Sequence, residues 1–128
     1  MSTLSARIDL PPSAGSVPTA RRVVVELLAL WGAPHDRDDA GLVVSELVAN
    51  VVDHVGGDEP FTVELTSSGD SLRISVADGS AIRPVVRELE GDSPRGRGMR
   101  MVEQIADRWG AEEHQGGKRV WVELAPPG

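Results

Sequence analysis

Apolar and polar positions divide the chain into stretches of two periods. "ARIDLPP" (Ala6–Pro12) alternates and stops at a proline pair, which predicts a short first strand at or near a sheet edge. "PTARRVVVELLALWG" (Pro18–Gly32) repeats with a helical period, with a proline in its first turn and a glycine at its stop. The polar link "APHDRDDAG" follows, with Asp38 or Asp39 as candidate cap of a second helix running from about Asp38 to Val55 and stopping at Gly56-Gly57. "FTVELTSS" and "SLRISVAD" both alternate at period two around Gly69-Asp70, a hairpin signal. Gly79 to Gly96 reads as a loop rich in Pro, Gly and charge. "RGMRMVEQIADRWG" predicts a helix ended by Gly110, and "WGAEEHQ" with "KRVWVEL" a closing hairpin around Gly116-Gly117.

The resulting order, β-α-α-β-β-loop-α-β-β, groups helices early and pairs strands in hairpins. It predicts an α+β two-layer sandwich: a mixed, mostly antiparallel sheet covered on one face by about three helices. The place of the first strand in the sheet is left open. At 128 residues the chain fits one domain, 1–128, with its core between about residues 6 and 124.

Composition narrows the classes of function. A net charge of −7 lacks the basic balance of a phosphate-backbone binder, and three Trp, one Phe and no Tyr make a poor base-stacking surface, so nucleic acid is not an expected partner. There is no cysteine for a disulfide framework or a thiolate metal site. No apolar run approaches the roughly 20 residues of a membrane span, and the first fifteen residues lack the apolar stretch of a secretory signal, so a cytoplasmic location is expected.

Three stretches carry candidate chemistry. In "VSELVANVVDH" (Val44–His54), Glu46, Asn50 and Asp53 fall within about 60° of one another on a helical wheel, with His54 beside them, along a segment otherwise dense in Val and Leu. Two readings fit this strip. It faces water on an ordinary helix, or it lines a pocket where Asn50 offers a neutral oxygen to a hard cation such as Mg²⁺ and Glu46 orients or deprotonates a nucleophile. In "ISVADGS", Asp78 ends a strand before Gly79, which suits either a plain Asp-Gly turn or an acceptor presented to a ligand. In "PRGRGMRMV", Gly96 and Gly98 precede a helix whose first amides can approach an anion, with Arg95, Arg97 and Arg100 adding charge. Neither the P-loop run nor the Rossmann fingerprint occurs.

The order of these stretches resembles the ATP-binding boxes of the Bergerat-fold (GHKL) superfamily, which includes DNA gyrase and the histidine kinases. More narrowly, "VSELVANVVDH", "ISVADGS" and "GRGMRMVEQIADRWG…GKRVWVEL" look like the compact anti-sigma factor serine/threonine kinases of actinobacteria, over about Arg21 to Leu124. The resemblance implies ATP and Mg²⁺ as ligands. It implies Glu46 as general base and Asn50 as Mg²⁺ ligand, with Asp53 and His54 at the same wall. Asp78 would read the adenine amino group, beside Gly79 and Ile82. Gly96, Gly98 and neighbouring Arg95, Arg97, Met99 and Arg100 would hold the phosphates beneath a lid from Arg83 to Arg95. Lys118 would lie next to the adenine.

This chain departs from the family pattern at three points. No second glycine follows Asp78-Gly79, Arg100 follows Met99 where the kinases often have Gly, and Lys118 stands where many relatives carry Thr. The partners implied are a sigma factor, a STAS-type anti-sigma antagonist and a second copy of the chain. Two functions follow: a kinase that phosphorylates the antagonist and switches partners, or a regulatory adaptor of the same fold that sequesters a sigma factor or antagonist with weak nucleotide binding or none.

Overall fold

A computed structural model describes residues 3–54, 59–78, 102–114 and 117–126. The elements are β1 (Thr3–Leu10), α1 (Ser16–Trp31), α2 (Arg37–His54), β2 (Phe61–Ser68), β3 (Ser71–Asp78), β4 (Arg108–His114) and β5 (Gly117–Leu124), with a further helical stretch at 102–105. The strands form one sheet in the order β1-β2-β3-β5-β4. This is the α+β two-layer arrangement that the patterning predicts, with one refinement. Every pairing is antiparallel, so the described sheet is not mixed. The reason is topological: after β3 the chain goes out to the sheet edge as β4, and β5 returns into the gap against β3.

Local chemistry sets the element ends. β1 stops where Pro11-Pro12 remove two donors, and it occupies the edge next to β2, which settles the placement that the sequence left open. α1 closes on Gly32, whose φ of 64° lets its amide turn back toward Ala29 and Leu28. The cap of α2 is neither Asp38 nor Asp39. Asp36 accepts a hydrogen bond from the Asp39 amide at 2.9 Å, which leaves Asp38 and Asp39 in the first turn, where the helix dipole favours acids. The stop expected at Gly56-Gly57 lies outside the described residues.

The third helix is shorter at its C-terminal end than its pattern predicts. The Ala106 amide donates to Val102, and the next amide, Asp107, already donates to the Glu123 carbonyl of β5. Arg108 to Gly110 therefore belong to β4. Gly110 is no helix stop: it stands opposite Trp121, and a Cβ there would lie 2.9 Å from the indole. The glycine makes room for a ring lying across the strand.

Alternate residues of each strand face the helices. Phe61, Val63 and Leu65 of β2, Leu72, Ile74 and Val76 of β3, and Val120, Val122 and Leu124 of β5 are buried there. Against them pack Ala20, Val24 and Leu28 of α1 and a nearly continuous apolar surface of α2, comprising Ala40, Val43, Val44, Leu47, Val48 and Val51. α2 packs beside α1 and over strands β3 and β5. Its burial nearly all round explains why its sequence is apolar nearly all round. The other sheet face carries no helix among the described residues. It holds Arg73, Arg108, Arg119, Glu112 and Glu123 in ion pairs, with the Arg73 guanidinium 4.7 Å from the centre of the Trp121 ring.

Candidate nucleotide site

One hydrogen bond fixes how the helix and strand that carry the candidate residues lie together. His35, just before α2, contacts the Asp70 carbonyl at 3.0 Å in the turn that opens β3. Both elements therefore start at the same end of the molecule. From there α2 runs over β3 and β5. At 1.5 Å per residue, Asn50 lies about 21 Å from Asp36 and Asp53 about 25 Å. At 3.3 Å per residue, Asp78 lies about 23 Å from Ser71. Helix and strand thus deliver Asn50, Asp53 and Asp78 to one common end. β5 is antiparallel to β3, so its first residues, including Lys118, belong to that end as well.

Within this end the side chains differ in depth. Asn50 is 5% exposed. Glu46, one turn earlier, is half-buried, and Asp53 is exposed. The polar strip is therefore not a uniformly solvated face: its central amide is inside. A buried amide must be hydrogen-bonded to be tolerated, which makes Asn50 a deliberate polar group in an apolar helix. Asp78 is 7% exposed and shares the parity of Leu72, Ile74 and Val76, so it belongs to the helix-covered side of the sheet. Lys118 is half-buried and stands directly opposite Asp78, with Glu113 of β4 on its other side.

Among the described residues, Glu46, Asn50, Asp53, Asp78 and Lys118 lie toward this end of the α2–β3 layer. His54 ends α2 at the same place, although its side chain lies outside the description. Gly79, Ile82, Arg95, Gly96, Arg97, Gly98, Met99 and Arg100, and the lid from Arg83 to Arg95, lie outside the described residues. Sequence reasoning missed the flanking of Lys118 by two carboxylates, because register between β4, β5 and β3 is a long-range property. It also passed over His35, read as part of a polar link, although a histidine between Pro34 and a cap-forming Asp36 was visible in the sequence.

The model of the histidine kinase-like ATPase domain matches residues 10–124, nearly the whole chain. The chain belongs to that family. No curated protein sequence matches this ATPase domain significantly. Among solved structures, it is similar to the crystal structure of the RsbU and RsbW domains of Rv1364c from Mycobacterium tuberculosis, with a TM-score of 0.68 and 24% identity over 96% of this chain. The ATPase domain spans 32% of that longer chain, and the likeness establishes a common fold. No described helix is long and apolar enough to cross a membrane.

The donor types at the α2–β3 end suit a magnesium nucleotide. Asn50 offers a buried neutral oxygen, a hard ligand of the kind Mg²⁺ takes, and Glu46 a half-buried carboxylate one turn away that suits a proton acceptor. Among the described residues, no group of three or more His, Cys, Asp or Glu side chains is arranged to hold a metal ion.

Proposed function

We propose that this ATPase domain is an anti-sigma factor-type serine/threonine kinase that transfers the γ-phosphoryl group of ATP to a STAS-type antagonist and binds a sigma factor in alternation with it. The observation that carries the reading is the delivery of buried Asn50 and buried Asp78 to one end of the α2–β3 layer. Family membership supports ATP as substrate, and the fold shared with a protein that has an RsbW domain supports the compact regulatory type.

In this reading the Asp78 carboxylate accepts a hydrogen bond from the adenine amino group. Asn50 would hold Mg²⁺ through its amide oxygen, and the bound cation would supply neutralisation of the charge that builds on the phosphate oxygens. Glu46 accepts the proton of the antagonist hydroxyl as its oxygen bonds to the γ-phosphorus. The bond from that phosphorus to the bridging β–γ oxygen breaks, and ADP leaves. Amides around Gly96 and Gly98 hold the phosphates. Little more is asked of the protein, since phosphoryl transfer depends chiefly on position and charge neutralisation. A cytoplasmic setting and a homodimer complete the proposal.

A second reading has its own observation. Lys118 stands opposite Asp78 on the helix-covered face, where an ammonium group competes with the adenine amino group for the carboxylate. That favours a regulatory adaptor with weak nucleotide binding. Incubation with labelled ATP, Mg²⁺ and a candidate antagonist, beside a Glu46→Ala variant, separates the two. Label transfer that is lost in the variant supports the kinase; absence of nucleotide binding by calorimetry overturns it in favour of the adaptor.

A further inference from the structure

Lys118 stands between two carboxylates in one row across the sheet. It pairs with Asp78 of β3 on one side and with Glu113 of β4 on the other. Antiparallel partners share a face, so all three side chains rise on the side that α2 covers. Glu113 accordingly has the parity of Trp109, which packs against the core. Opposed Cβ atoms in such a row are about 4.5–5.5 Å apart, and the four-carbon stem of lysine lets its head group swing to either neighbour. Among the described residues no ion pair commits the ammonium group to one of them.

The two carboxylates differ in depth. Asp78 is buried, Lys118 is half-buried, and Glu113, on the edge strand, is exposed. An ammonium group is strongly hydrated, and drawing it inward to a buried carboxylate strips more of that water than letting it lie outward. Long basic side chains keep their stems on the protein and their heads in water for this reason. The outward carboxylate is thus the better-hydrated partner for Lys118. The inward one suits a neutral donor, such as the amino group of adenine in the proposed complex.

We propose that Glu113 is a positioning residue for the nucleotide site, which holds Lys118 outward and so keeps its ammonium group off Asp78. Without Glu113 the lysine has one carboxylate left in its row, and it turns inward onto the acceptor that the base needs. This rests on the reading of Asp78 as the adenine acceptor. It adds a residue outside the proposed contacts with base and metal. The sign of the effect is distinctive. Removing an acid near an anionic ligand tightens binding by charge alone, whereas loss of the positioning role weakens it.

Calorimetry of the full chain with ATP-Mg²⁺ measures Kd for the wild type, Glu113→Gln, Glu113→Asp, Lys118→Thr and the double variant Glu113→Gln with Lys118→Thr. Glu113→Gln is expected to weaken binding by up to about fivefold, the scale of one partly exposed charge pair, and Glu113→Asp to keep the wild-type affinity. In the Lys118→Thr background Glu113→Gln is expected to change nothing, because no ammonium group is left to redirect. Unchanged or tighter binding in Glu113→Gln, or the same weakening with and without Lys118, would overturn the proposal while leaving nucleotide binding established. Absence of binding in every variant, wild type included, would overturn the nucleotide site itself and this role with it.

Discussion

Asp78 of β3 and Lys118 of β5 are direct cross-strand partners on the face of the sheet that α2 covers. Side chains so placed have Cβ atoms about 4.5–5.5 Å apart, close enough for the ammonium group to engage the carboxylate. Replacing the lysine by threonine removes this cationic neighbour of Asp78. In the proposed function, Lys118→Thr is expected to tighten ATP-Mg²⁺ binding by up to about fivefold, the worth of one partly exposed neighbouring charge, measured by calorimetry. Unchanged affinity would mean that Lys118 points away from the acceptor.

Glu46 and Asn50 predict opposite kinetic signatures. If the domain is the proposed kinase, Glu46→Gln takes away its proton acceptor and is expected to lower phosphoryl transfer by roughly 10²–10⁴-fold with nucleotide binding kept. In the same proposal Asn50→Ala takes away the Mg²⁺ ligand and is expected to lower binding of ATP-Mg²⁺ itself. A thermal shift reads the second effect: in the wild type, a hundredfold excess over Kd adds about 2.7 kcal/mol, and in Asn50→Ala most of that gain should vanish.

Trp121 lies over Gly110, where an added methyl group would meet the indole ring at 2.9 Å across a pair of hydrogen-bonded strands. Gly110→Ala is expected to destabilise the protein by about 1–3 kcal/mol in urea unfolding with the slope unchanged. The smaller Trp121→Leu side chain in the same background should recover part of that loss.

The α2 cap assigns a distinct cost to Asp36. Asp36→Ala is expected to lose about 1 kcal/mol and Asp36→Asn almost nothing, because either side-chain oxygen can accept from the Asp39 amide. The same changes at Asp38 should show no such contrast.

Two leucines on α1 provide an internal control on packing. Leu28 is 1% exposed and Leu30 79% exposed. Leu28→Ala should cost about 2–5 kcal/mol, while Leu30→Ala should stay within about 0.5 kcal/mol.

Period and punctuation made most elements legible. β2 and β3 were readable to the residue because alternation and a Gly69-Asp70 turn coincide. α1 and α2 were readable because proline, glycine and acidic residues mark their ends. What failed was local chemistry whose meaning depends on a distant neighbour. Gly110 looks like a helix stop until Trp121 is placed opposite it. Asp38 and Asp39 look like caps until the chain is seen to turn at Asp36. The site was legible as residue types in order, since Glu46, Asn50 and Asp78 stand out against apolar surroundings. The depth of Asn50 and the pairing of Lys118 were not, because burial and register are decided by the whole sheet.

The His35–Asp70 contact also limits how chains of this kind can change length. It pins α2 and β3 to one origin, and each then counts out a fixed number of residues to the far end. An insertion of one residue between Asp36 and Asn50 would swing the amide about 100° around the axis, and one between Ser71 and Asp78 would turn the carboxylate to the opposite face of the sheet. A change of length within either span would therefore break the alignment of Asn50 with Asp78, whereas one beyond them would leave it intact.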